Sequence, residues 1–143
     1  MIVPDANLLI YAYDNESDLQ PLAGKWLRQI LSGPEAVGFT WLTIGAFLRI
    51  STNLKLGRSR VPMTYAAQIV DEWLARRAAR LITPGDNHWV LLKKMLIEGR
   101  IQGPNVTDAQ LAAVAIEHGG VLHTYDRHFA RFPGLRWMNP LAP

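Results

Sequence analysis

Apolar residues along this chain follow two alternating periods. Residues 1–4 form a short strand-like run, and residues 5–15 read as a turn region. Leu22, Ala23, Trp26, Leu27, Ile30 and Leu31 then recur at helical spacing. Pro21 suits the first turn of that helix, and Ser32-Gly33-Pro34 ends it. Residues 36–39 predict a second strand and residues 41–53 a helix, with a basic loop over 55–62. Thr64 opens another helix to about residue 79, and 80–83 is a third strand. Asp86 is placed to cap a helix that turns Trp89, Leu92 and Leu96 inward and stops at Gly99.

The last third is more regular. Thr107 and Gln110 have capping-box spacing, which sets Asp108 in the first turn of a helix closed by Gly119-Gly120. Residues 121–124 predict a buried strand, 126–132 a short helical turn and 136–138 a final edge strand. Strands separated by helices imply an α/β fold with a mostly parallel sheet covered on both faces.

The 143 residues suit one domain with one core, over residues 1–143. No apolar run approaches the roughly 20 residues that span a bilayer, and Asp5 stands where a signal peptide carries basic residues, so a cytoplasmic location is expected. With no cysteine, disulfides and thiolate metal sites drop out, and any metal must be held by oxygen or imidazole. The formal charge is +3. Arg49, Lys55, Arg58 and Arg60 form one candidate basic patch and Arg76, Arg77 and Arg80 another; such patches suit a polyanion and equally suit a solvated surface.

Three aspartates sit where apolar segments end: Asp5 after Ile2-Val3, Asp108 at the start of the late helix, and Asp126 after Val121-Leu122. Each alone has an ordinary role as a strand end, a partner for the helix dipole or a turn cap. Together on one rim of a parallel sheet they would repel one another unless a hard cation compensates them. That points to nuclease chemistry, with Mg²⁺ the expected ion and Mn²⁺ a substitute.

Longer stretches carry a family resemblance. Val3-Pro4-Asp5-Ala6-Asn7-Leu8-Leu9-Ile10-Tyr11-Ala12, Phe47-Leu48-Arg49-Ile50-Ser51-Thr52, Val106-Thr107-Asp108-Ala109-Gln110-Leu111-Ala112 and Thr124-Tyr125-Asp126-Arg127 resemble the PIN-domain ribonucleases. Within them they resemble the VapC toxins of bacterial toxin–antitoxin pairs, as do Ala115–Gly120 and Phe129–Trp137. The resemblance implies an α/β/α sandwich around a parallel sheet, an acidic Mg²⁺/Mn²⁺ site, endonucleolytic RNA cleavage, a homodimer and inhibition by a VapB-type antitoxin. Two positions depart from the family pattern: Ala46 stands where many PIN domains carry a glutamate, and His128 where a further acid is common.

Asp5, Asp108 and Asp126 are therefore the expected catalytic and metal-binding residues, the first two as direct ligands and Asp126 directly or through water. Asn7 and Thr124, each two residues from a proposed ligand, are placed to orient a carboxylate or simply to cap turns. Arg49 is placed to meet phosphate or to pair with Asp5 or Asp126. His128 offers an imidazole to the metal or remains a turn residue. His88, His118 and His123 lack paired zinc-ligand spacing and read as structural or surface groups. The alternative class is a PIN-like protein that binds RNA or antitoxin without cutting, and metal-dependent turnover discriminates the two. A receiver-like phosphoacceptor is weaker, because no switch lysine follows a late strand.

Overall fold

The computed structural model describes residues 1–143, apart from the side chain of residue 59. Five short strands, β1 (Ile2–Pro4), β2 (Val37–Phe39), β3 (Ala79–Leu81), β4 (Val121–His123) and β5 (Trp137–Met138), form one sheet in the order β3-β2-β1-β4-β5. All four pairings are parallel, so every strand points its carboxyl end at the same rim. The chain passes from β1 outward through β2 and β3, then returns to the other side of β1 with β4. The strand order thus reverses between β1 and β4, and open α/β sheets bind ligands at such a switch point.

Six helices connect the strands: α1 (Ala6–Tyr13), α2 (Gln20–Ser32), α3 (Trp41–Ser51), α4 (Met63–Leu74), α5 (His88–Glu98) and α6 (Val106–Glu117). Their buried stripes build a core on each face of the sheet, giving the expected three layers. One core joins α1, α2, α3 and α4 to Val37 and Phe39, with Trp73 stacked on Phe39 at 5.5 Å and tilted against Phe47 at 4.6 Å. The other joins α5 and α6 to Val3, Leu122 and Phe129. No helix among the described residues is long and apolar enough to cross a membrane.

Several local expectations need correction. The segment read as a turn region over 5–15 is largely the helix α1, capped by Asp5 and buried through Leu8, Leu9 and Ala12. Eight residues are too few for a stable isolated helix, and packing against its neighbours holds this one in place. The basic loop contains a 3₁₀ segment, Leu54–Ser59, and α4 ends at Leu74 rather than near residue 79. The third strand begins one residue earlier than expected, at Ala79.

On α5 the buried face carries Leu92 and Met95, while Trp89 is exposed and Asp86 does not cap the helix, whose N-cap is Asn87. The stripe is rotated because His88, largely covered, occupies the inner position that an apolar reading gave to Trp89. The Thr107–Gln110 capping box does not form either. A 3₁₀ turn, Gly103–Asn105, feeds straight into α6 with Asn105 already in helical geometry, so Thr107 lies inside the helix. At its other end α6 closes as expected. Gly119, at φ 64°, donates to Ile116 and Gly120 donates to Ala115, the paired bonds of a Schellman stop. A side chain on Gly120 would meet Val3 Cγ2 at 2.6 Å, so glycine permits the close approach of this turn to β1.

Candidate active site

Asp5 is the residue after β1, and Thr124 the residue after β4. The β1–β4 register pairs Pro4 with His123, and the Asp5 amide donates to the His123 carbonyl at 2.9 Å. The two following side chains therefore emerge together at the switch point. The Thr124 hydroxyl donates to Asp5 Oδ2 at 2.7 Å, and Asp5 Oδ1 accepts from the Ala6 amide at 2.7 Å as the N-cap of α1.

Thr124 is fully buried and its hydroxyl is saturated. Besides donating to Asp5 it accepts from the Asp126 amide at 3.0 Å and from Asn7 Nδ2 at 3.4 Å. The Asn7 Oδ1 in turn accepts from the Tyr125 amide at 3.5 Å. Asp126 caps the 3₁₀ turn Arg127–Arg131 by accepting from the His128 amide at 2.9 Å. Asp108 arrives from the other direction, in the first turn of α6 and engaged in no cap.

These elements enclose a cavity of about 450 Å³ whose lining includes Asp5, Asp108, Asp126, Asn7, Arg49 and Ala46. The sequence-predicted acids thus meet at one place, with Asn7 and Arg49 beside them and Thr124 directly beneath Asp5. His128 is not in the lining, although its ring lies near enough to oppose the rise in the Asp108 pKa. Two supporting side chains escaped the sequence reading. Thr43 bonds to the Pro4 carbonyl at 3.4 Å, and Thr40 caps α3 by accepting from the Thr43 amide at 3.1 Å, together tying α3 to the end of β1. The Thr-x-x-Thr spacing before an apolar helix was the available signal.

The electrostatics follow from burial. Desolvation raises the Asp5 carboxyl to about 6; the Thr124 and Ala6 hydrogen bonds oppose this rise, and Asp108 and Asp126 add to it. Desolvation also raises Asp108, against the His128 charge and with that of Asp126. No ion pair among the described residues joins Arg49 or any other cation to these three acids.

The donor chemistry fits a hard divalent cation: carboxylate oxygens in a partly desolvated pocket, with no protein cation paired to them among the described residues. Among the described residues, no three Asp, Glu or His side chains already stand close enough to grip an ion between them. The open arrangement suits an ion such as Mg²⁺, which keeps several waters and takes one or two carboxylates plus substrate oxygens.

The other histidines have structural places. His123 Nδ1 accepts from Trp26 Nε1 at 3.1 Å, and burial lowers its pKa, so the ring is held neutral. A ring nitrogen of His118 lies 2.8 Å from the Thr83 carbonyl, and His88 Nδ1 lies 3.7 Å from Glu117.

Residues 2–135 match the sequence profile of the PIN domain family. Ribonuclease VapC37 of Mycobacterium tuberculosis is 38% identical over 142 residues, covering 99% of both chains. Ribonuclease VapC33 of the same species is 34% identical over 141 residues, again 99% of each. Among solved structures, VapBC2 from Rickettsia felis, bound to a promoter DNA fragment, matches with a TM-score of 0.69 at 16% identity, over 97% of this chain and 98% of that one. M. tuberculosis VapC20, described as a sarcin-ricin loop cleaving toxin, matches with a TM-score of 0.67 at 16% identity, over 95% and 99%. The solved structures bear on the fold alone, whereas the profile and the two relatives carry the assignment. This chain belongs to the PIN domain family and, within it, to the VapC group.

Proposed function

We propose that this chain is a divalent-metal-dependent endoribonuclease, folded as one domain over residues 1–143, and the toxin of a VapBC-type pair. The observation that carries the reading is the convergence of Asp5, Asp108 and Asp126 on one cavity at the switch point of the sheet. Relatives named ribonucleases over nearly the whole chain support the same reaction class.

Asp5 and Asp108 would hold Mg²⁺ or Mn²⁺ directly, and Asp126 would complete the set directly or through water. A bound ion supplies Lewis acidity toward water and toward the phosphodiester being cleaved. The chain's own residues do the positioning. Thr124 fixes one Asp5 oxygen and the Ala6 amide the other, so the orientation of the carboxylate is set. Asn7 holds Thr124, and the His128 amide holds Asp126. Arg49, exposed at the wall and unpaired with the acids, is placed to take the substrate phosphate. Ala46 lines the same cavity, at the position where the resemblance to the PIN family implies a glutamate.

The partner in this reading is a VapB-type antitoxin, as in the structural neighbours VapBC2 from Rickettsia felis and VapBC-1 from Haemophilus influenzae. A segment bearing arginine would match the three carboxylates bidentately. A homodimer belongs to the same reading. Calorimetry tests the centre: Mg²⁺ or Mn²⁺ should bind the natural protein and bind Asp5→Asn at least about tenfold more weakly, a loss of about 1.4 kcal/mol. Equal binding by the two proteins refutes the metal site.

A further inference from the structure

Beside the acidic cavity lies a second one, of about 310 Å³. Leu42 at the start of α3 lines both, and α6 divides between them, with Asp108 facing the acids and Gln110 facing the second space. Trp41, Ile82 and Pro84 give the second cavity apolar walls, while His88 and Gln110 add polar groups and no Lys or Arg is in its described lining. Both cavities open beyond the carboxyl ends of the strands, on the rim where the reaction is assigned.

Trp41 is the first residue of α3 and is 58% exposed. Its helix packs inward through Thr43, Ile44 and Phe47, so the indole is not required by the core. A flat aromatic surface at an apolar cavity, with an amide and an imidazole alongside, matches a nucleobase, which has π faces and a polar edge. It does not match a phosphate, for which the lining offers no cation. The His88 Nδ1 is buried and makes no hydrogen bond among the described residues, with a Glu117 oxygen 3.7 Å away.

We infer that this second cavity is a nucleobase subsite: Trp41 stacks a base of single-stranded RNA beside the cleaved phosphodiester, and His88 and Gln110 contact its edge. The inference rests on the ribonuclease reading above and adds how that site selects its substrate. The shared Leu42 wall puts the stacked base in a nucleotide adjoining the reacting phosphate.

The test is an abasic walk. A short oligoribonucleotide that the natural protein cleaves with Mn²⁺ is remade with one abasic nucleotide at each position flanking the cleaved bond. One position should raise KM about tenfold with little change in kcat, the size expected for a lost base–aromatic stack. Trp41→Ala should raise KM on the intact oligonucleotide by the same factor and show no further loss on the abasic one. Trp41→Phe should restore most of the affinity, and Trp89→Ala, exposed on α5 outside both cavities, should leave the profile unchanged. A flat abasic profile, or independent losses from the two changes, overturns the subsite while the cleavage reaction stands. If Trp41→Ala instead abolishes self-association in sedimentation and leaves the abasic profile intact, the face is an interface between copies and the subsite is overturned. Failure of the natural protein to cleave any RNA removes the ribonuclease reading and the subsite with it.

Discussion

The Thr124 hydroxyl donates to Asp5 Oδ2 at 2.7 Å while accepting from the Asp126 amide at 3.0 Å. One buried oxygen therefore links two of the three acids, which come from the ends of neighbouring strands. Its donor and acceptors are fully used, so only another hydroxyl can replace it without leaving a partner unsatisfied. Thr124→Val keeps the shape and removes all three bonds. We expect it to destabilise the fold by about 1–3 kcal/mol and to weaken Mn²⁺ binding, with Thr124→Ser close to the natural protein in both. Denaturant titration and calorimetry check this; a Val variant equal to natural in metal binding would show that Asp5 needs no positioning.

Asp5 also makes stability depend on pH. Its carboxyl titrates near 3.8 when exposed and about 6 in the folded chain. Between those values the folded state binds the proton and the unfolded state does not, so stability is greatest below the window and falls as pH rises through it. In chelator above pH 6 the charged, desolvated carboxylate costs on the order of 2–3 kcal/mol, at about 1.4 per pKa unit. Asp5→Asn should accordingly be more stable than the natural protein at pH 7.5 without metal, and the difference should vanish below about pH 4. Identical stability of the two across that range would contradict the assignment. Mg²⁺ or Mn²⁺ should reverse the order by binding the ionised natural site.

How much of this was legible beforehand depended on the range of the interaction. Parallel strands separated by helices oblige all carboxyl ends to share a rim, so Asp5 and Asp126 could be brought together from order alone. Asp108 followed because α6 starts on that rim. The Thr124–Asp5 bond was not legible at atomic detail, since it depends on Pro4 pairing with His123 rather than with a residue one step away. The helix α1 was hidden by its shortness and by Asp5, which looks like a turn residue and acts as its cap. Trp89 misled because its helical spacing with Leu92 and Leu96 suggested one inner face, whereas His88 holds the inner position beside Glu117. The second cavity joins residues from α3, the segment after β3, and α6, a juxtaposition that no local pattern encodes.

The gap at Ala46 gives a gain-of-function prediction. Ala46 lines the acidic cavity one turn from Arg49, so a glutamate there would add a fourth carboxylate. Metal-dependent cleavage should persist or rise in Ala46→Glu, with a stronger second metal-binding event in calorimetry. Loss of cleavage in a folded Ala46→Glu would indicate that the open space serves the substrate rather than an absent ligand.

The antitoxin prediction is separable from catalysis. The product of the neighbouring gene should bind the purified chain, suppress cleavage and restore growth on co-expression. Replacing the arginine that reaches the acids with alanine should weaken inhibition by about thirtyfold or more, the usual cost of breaking a buried charged pair. A neighbouring product that neither binds nor changes toxicity would remove the toxin–antitoxin part of the account.

The most direct measurement is single-turnover cleavage of total RNA by the purified chain with and without Mn²⁺, with cleavage ends mapped, alongside Asp108→Asn. The account predicts discrete cuts that require the ion and that slow by at least about tenfold in Asp108→Asn, equivalent to about 1.4 kcal/mol of transition-state stabilisation. Equal cleavage by both proteins, or none by the natural chain in the presence of Mn²⁺, would contradict it.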